Sequence, residues 1–112
     1  MRPQVDGFVK AQRIYFLENG SFTTDTSALS IDTETDDQHW YCGGSSDSRI
    51  HCNTDHINGL IFWEVWLEST GLQEIQCVAK TENAAAMSIC QVDAIAKVLV
   101  NGDWTYFTVY TN

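Results

Sequence analysis

Two histidines and two cysteines near the middle of the chain carry a spacing that a metal could use: His39-x-x-Cys42 and Cys52-x-x-x-His56. Thiolate and imidazole are the ligands zinc prefers, and four of them can close a tetrahedron. A Cys42–Cys52 disulfide explains the same two thiols equally well, so the spacing admits both a zinc-stabilised module and a disulfide-stapled one. His51 stands beside Cys52, but a nucleophilic thiolate needs a positioned base, and sequence neighbours in a strand point their side chains apart. Asp32, Glu34, Asp36 and Asp37 crowd one stretch, and Asp93 and Asp103 are candidates for calcium nearer the end. Their spacing matches no calcium loop, and carboxylates in a loop without aromatic walls are normally solvated. No Gly-x-Ser-x-Gly elbow, phosphate-cradling glycine loop or His-Glu-x-x-His helix occurs. The expectation is a protein that is not an enzyme and needs no cofactor or metal.

The four cysteines, Cys42, Cys52, Cys77 and Cys90, are then the residues whose chemistry matters most. An even number in a short chain points to two disulfides formed outside a reducing cytosol. Sequence leaves three connectivities open. The local choice joins Cys42 to Cys52 and Cys77 to Cys90, each bridge closing a loop of about 10 to 14 residues and contributing roughly 3 kcal/mol.

Charge narrows the partners. The 112 residues carry 15 acids against 6 Lys and Arg, a net charge of -9. Between Arg13 and Arg49 no Lys or Arg occurs, while Glu18, Asp25, Asp32, Glu34, Asp36, Asp37 and Asp47 do. Such a face repels phosphate and anionic lipid, which argues against nucleic acid as its partner.

The elements that must position these residues follow from periodicity. From Pro3 to about Glu18, Val5, Phe8, Val9, Gln12, Tyr15 and Phe16 share one helical face, widened by Ala11 and Ile14. Asn19-Gly20 ends that helix, because glycine adopts the left-handed conformation without steric cost. A polar stretch follows, in which Ser27 or Thr26 could cap a short turn and Leu29 and Ile31 pin the loop to the core. His39 to Cys42 reads as a short strand, and Gly43 to Ser48 as an exposed loop stapled at its base. Leu60 to Glu68 is a strand with Ile61, Trp63, Val65 and Leu67 on one face, and Phe62, Glu64, Trp66 and Glu68 on the other. That second face, with Phe62 and Trp66, could meet a neighbouring subunit. Ser69-Thr70-Gly71 turns the chain into Glu74 to Lys80, giving an antiparallel hairpin. Glu82 to Cys90 suits a short helix capped by Thr81. Ala94 to Val100 is ambiguous, but Asn101-Gly102 is a hairpin signal and Trp104 to Tyr110 is a strand, which favours a strand before the turn. The expected fold class is α+β: one domain over 1–112, with a long N-terminal amphipathic helix (about 3–19), a loop (about 20–59) and a sheet of about four antiparallel strands with its disulfide-bounded end (about 60–112).

One stretch, Lys10-Ala11-Gln12-Arg13-Ile14-Tyr15-Phe16-Leu17-Glu18-Asn19-Gly20-Ser21-Phe22-Thr23-Thr24-Asp25 leading to Leu29, resembles the end of the long helix in type IV pilins and type II secretion pseudopilins. In that family an aromatic pair, an Asn-Gly and a Ser-Phe or Ser-Tyr mark where helix gives way to loop. Cys77-Val78-Ala79-Lys80, an alanine-rich helix, Cys90 and the closing Asn101-Gly102-Asp103-Trp104-Thr105-Tyr106 look like the disulfide-bounded C-terminal region of such proteins. The resemblance covers roughly half the chain and implies a filament subunit. The family's cleaved leader and glutamate-bearing apolar helix are not in this sequence, which reads as the soluble globular part with its front removed. By resemblance, the parent is stored in the inner membrane and its apolar helix packs against copies of itself or other pilins. The location implied is extracellular or periplasmic. Cys77 and Cys90 would tether a segment that in pilins carries subunit contacts or surface recognition.

Overall fold

Ile61–Glu68 puts Ile61, Trp63, Val65 and Leu67 on one face and is rich in β-branched and aromatic residues, which suit a pleated backbone. Around this strand the rest of the chain is arranged. The structure is a computed structural model that describes residues 3–29, 40–46, 49–54, 56, 58–71, 73–96 and 98–111. In chain order its elements are α1 (Pro3–Asn19), a 3-10 turn (Thr26–Ala28), β1 (Trp40–Ser46), β2 (Arg49–Thr54), β3 (Ile61–Glu68), β4 (Gln73–Lys80), α2 (Ala84–Val92), β5 (Val98–Asn101) and β6 (Trp104–Thr111). The strands form one six-stranded sheet in the order β1-β2-β3-β4-β6-β5, every pair antiparallel.

This corrects the expected fold class. The architecture is not a long helix on about four strands: the sheet has six, and the helices are 17 and 9 residues long. The four strands of the expected sheet correspond to β3, β4, β5 and β6. The other two, β1 and β2, lie inside the segment expected to be loop, where only His39 to Cys42 reads as a short strand. Gly43, Gly44, Ser45 and Ser46 have poor strand propensity, which hid the extension of β1 to Ser46. Pairing overrides that propensity. Cys42 sits directly opposite Cys52, and β2 buries Ile50, Cys52 and Thr54 in strict alternation while pairing with β3.

The core lies on one face of the sheet, here the inner face. Ile50, Cys52, Ile61, Trp63, Val65, Leu67, Ile75, Cys77, Ala79 and Phe107 point into it, and both helices cover it. Burying an apolar side chain of this size contributes about 1.5–3 kcal/mol, so this single layer supplies most of the stabilisation. Within α1, Val5, Phe8, Val9, Ala11 and Gln12 are buried as the helical periodicity predicts, whereas Ile14 is exposed. Phe8 stacks on Trp40 with ring centroids 4.0 Å apart. Gln12, with no exposed surface, uses both ends of its amide: Nε2 donates to the Thr23 carbonyl at 2.8 Å, and Oε1 accepts from the Thr23 N–H at 3.2 Å. The Arg13 guanidinium donates to the Glu68 carbonyl at 2.7 Å, tying α1 to the end of β3. Gly20, at φ 79°, then closes the helix by donating to the Phe16 carbonyl at 2.8 Å. Two polar caps differ from the sequence reading. Asp25 rather than Ser27 or Thr26 caps the 3-10 turn, and Asn83 rather than Thr81 caps α2, accepting from the Ala86 N–H at 2.9 Å.

Both disulfides follow the local pairing, Cys42–Cys52 and Cys77–Cys90, with sequence separations of 10 and 13. The first staples β1 to β2. The second fastens α2, which buries only Ala86 and Cys90, to the inner face of β4. Two disulfides fit a chain that folds in an oxidising, extracellular or periplasmic compartment. Among the described residues no helix is long and apolar enough to cross a membrane.

Two outcomes follow for stability. With Cys77→Ser and Cys90→Ser together, urea unfolding should show a loss of about 2–5 kcal/mol. Amide exchange should accelerate first in α2, since little else holds it. Gln12→Leu strands the Thr23 N–H and carbonyl, and should cost about 1–3 kcal/mol in the same assay.

Candidate functional site

The residues chosen for chemistry disperse on folding. Cys42 and Cys52 are bonded to one another, so neither offers a thiolate to zinc. His56 packs its ring on Phe62 at 4.7 Å and against Trp104 at 4.9 Å. His39, Ile31, Asp32, Glu34, Asp36, Asp37 and Asp47 lie outside the described residues. Asp93 serves as the C-cap of α2, and the Asp103 carbonyl accepts from the Thr81 N–H at 2.8 Å. Among the described residues, no group of three or more His, Cys, Asp or Glu side chains could hold a metal ion.

What the fold does bring together is the outer face of the sheet, the one without helices. Strand register lays its side chains out in rows. His51 is opposite Trp66, and Trp66 is opposite Glu74. The next row runs Tyr41, Asn53, Glu64, Gln76 and Thr108 across five strands. A third row holds Phe62, Val78, Tyr106 and Leu99. A polar band therefore crosses the sheet between two rows bearing aromatic rings. His51 stacks on Trp66 at 4.5 Å, and Tyr106 meets Phe62 edge-on at 6.5 Å. Lys80 lies over Trp104, its Nζ 5.0 Å from the ring centroid. Phe62 is buried beneath His56 and Trp104, and His51 stacks on one face of Trp66.

Electrostatics singles out two members of this face. Burial pushes the Glu64 carboxyl above its ordinary range and the His51 imidazole below its own. Their closest atoms are 4.0 Å apart, beyond hydrogen-bond reach, and burial disfavours the charged form of both. Desolvation, and then the charge on Glu64, also raise the Tyr106 hydroxyl.

A second surface lies at the far edge. Ile89, Val92, Ile95, Val98, Leu99 and Val100 are all exposed, and β5 is an edge strand. On α1, Ile14 and Leu17 are exposed as well. The sequence reading found the apolar character of 94–100 but could not know that β5 pairs on one side only. It likewise assigned Glu64 and Trp66 to a shared face, but only the β2–β3 register adds His51 to them.

A raised Glu64 pKa means the folded state holds its proton more tightly than the unfolded chain. Stability is then full below the ordinary carboxylate pKa and falls as pH rises through the folded value. Glu64→Gln should therefore raise the melting temperature at pH 7 and lose that advantage at about pH 3, well below the ordinary carboxylate pKa. Thermal unfolding at both pH values measures it. No protein-family model, curated protein or solved structure matches the chain.

Proposed function

We propose that this domain is the globular part of a structural subunit of a surface or secretion filament, of the type IV pilus or type II secretion pseudopilus kind. The observation that carries the reading is the aliphatic edge. Val98, Leu99 and Val100 are 52%, 50% and 60% exposed on an edge strand, and Val92 is 82% exposed on the neighbouring helix segment. A monomeric protein normally blunts such an edge with charge, because its unpaired backbone and apolar side chains invite another chain. Here a chain of net charge -9 places aliphatic residues there instead. A second exposed apolar spot, Ile14 and Leu17, lies on α1. Two different sticky patches on one subunit favour head-to-tail contact, which generates open filaments rather than closed dimers.

Other features agree. The helix-ending run from Tyr15 to Phe22 resembles that of pilins, and the Cys77–Cys90 bridge holds α2 beside the aliphatic edge. A subunit stored in the inner membrane and displayed outside would need this kind of cross-linking.

Antibodies raised against the purified domain test the reading on cells that express the natural gene. Labelling along surface filaments is expected. Antigen found only as free soluble monomer would overturn it and leave a secreted binding module. In the natural gene, Val98→Lys with Val100→Lys should abolish the filaments. The isolated domain should keep its stability to within about 0.5 kcal/mol, since both side chains are exposed.

A further inference from the structure

Glu64 is buried beyond what its bonding explains. Its side chain retains 15% of its exposure, yet among the described residues no N–H or O–H donates a hydrogen bond to its carboxylate. The nearest basic atom, His51 Nε2, is 4.0 Å away and itself has no hydrogen-bond partner. The Gln76 amide, directly across the strand pair, donates to Glu74 at 3.3 Å and Thr108 at 3.5 Å instead. A largely buried carboxylate thus sits within a sheet face, on the interior strand β3 and not on a loop.

Its surroundings specify what would complete it. Trp66 lies two residues along the same strand on the same face, and Phe62 two residues back, with Tyr106 beyond Phe62 on β6. Ring faces attract cations, and the effect grows as water is excluded. A neutral hydroxyl would not offset the charge of the carboxylate. A divalent metal would want several ligands, and no group of three is present among the described residues. A second copy of the chain is a poor occupant of this face, since each copy carries a net charge of -9. A planar cation with several N–H donors meets both demands, because it can hydrogen-bond a carboxylate in two places and lie along an aromatic ring.

We propose that Glu64, flanked by Trp66 and by Phe62 and Tyr106, forms a binding site for an arginine side chain of a basic protein partner. Glu74 and Glu68 on the same face draw the partner in, while Glu64 makes the specific contact. His51, stacked on Trp66, marks one end of the site, and on protonation it would compete for Glu64. Arg49 and Lys80 lie at opposite margins of the face and Tyr106 closes the β6 side, so among the described residues no fixed cation stands at the centre. The site stands whether or not the domain belongs to a filament.

The test uses the intact disulfide-bonded domain and the peptide acetyl-Gly-Arg-Gly-amide, followed by NMR shifts of the Trp66 indole and the Asn53 and Gln76 side-chain amides. These three signals should move together and saturate. The citrulline peptide, which keeps the shape and loses the charge, should bind about tenfold more weakly, and Glu64→Gln should weaken the arginine peptide about tenfold. Glu68→Gln and Glu74→Gln should change affinity by no more than about twofold. Equal weakening by all three substitutions would reduce the effect to general acidity and overturn the site. Equal binding of the citrulline or lysine peptide, or no shift at these three positions, would overturn it too.

Discussion

Among the described residues only one face of the sheet is roofed, and most of the molecule's character follows from that constraint. Six strands present two faces, but α1 and α2 together cover the inner one alone. The inner face can therefore be packed with Trp63, Val65, Leu67 and Ile75, while the outer face must remain compatible with water and still hold its own rings in place. It does so by pairing aromatics across strands. His51 covers Trp66, His56 covers Phe62, and the stem and head of Lys80 cover Trp104. The outer face is a second, thin apolar layer shielded by its own polar side chains.

The disulfides act where this one-sided design is weakest. At the β1 end the strand is glycine- and serine-rich, with little side chain to bury, and Cys42–Cys52 fixes its register to β2. Near the β5 end, α2 has almost no buried face, and Cys77–Cys90 anchors it to β4. Hydrophobic burial is densest between these two points, around β3. A cross-link restrains an element most usefully where burial cannot, and both bridges sit in such places.

How much of this was readable in the sequence depends on how local the determining signal is. The 3.6-residue pattern of Val5, Phe8, Val9 and Gln12 is local, and so are the glycine stop at Gly20 and the alternation of Ile61–Glu68. All three are found as read. The Asn101-Gly102 turn correctly tips the ambiguous apolar run before it into a strand. By contrast β1 and β2 are fixed by what lies beside them. Gly43 and Ser46 carry no strand signal of their own, and only pairing with β2 extends them. The count of four strands failed for that reason. The alternative zinc reading fails in a related way. His51, Cys52 and His56 are close in sequence, yet alternation sends His51 outward and Cys52 inward, and a ring stack occupies His56. Glu64 carried no motif at all; its importance comes from the burial and missing donors that the assembled sheet imposes.

The two unusual surfaces are therefore of different physical kinds. At the β5 edge, Val98, Leu99 and Val100 are exposed apolar groups, whose removal from water is favourable against any well-fitting partner, and salt would strengthen rather than weaken that association. At Glu64 the proposed contact is instead directional, a hydrogen-bond donor with positive charge meeting a largely buried carboxylate. A non-directional patch suits repeated contacts, where the geometry is set by many neighbours at once. A single desolvated carboxylate among rings suits discrimination between partners, because the wrong occupant leaves the charge unpaired. Burial disfavours the ionised form of Glu64, so the proposed site carries its own cost, one that a bound arginine would offset.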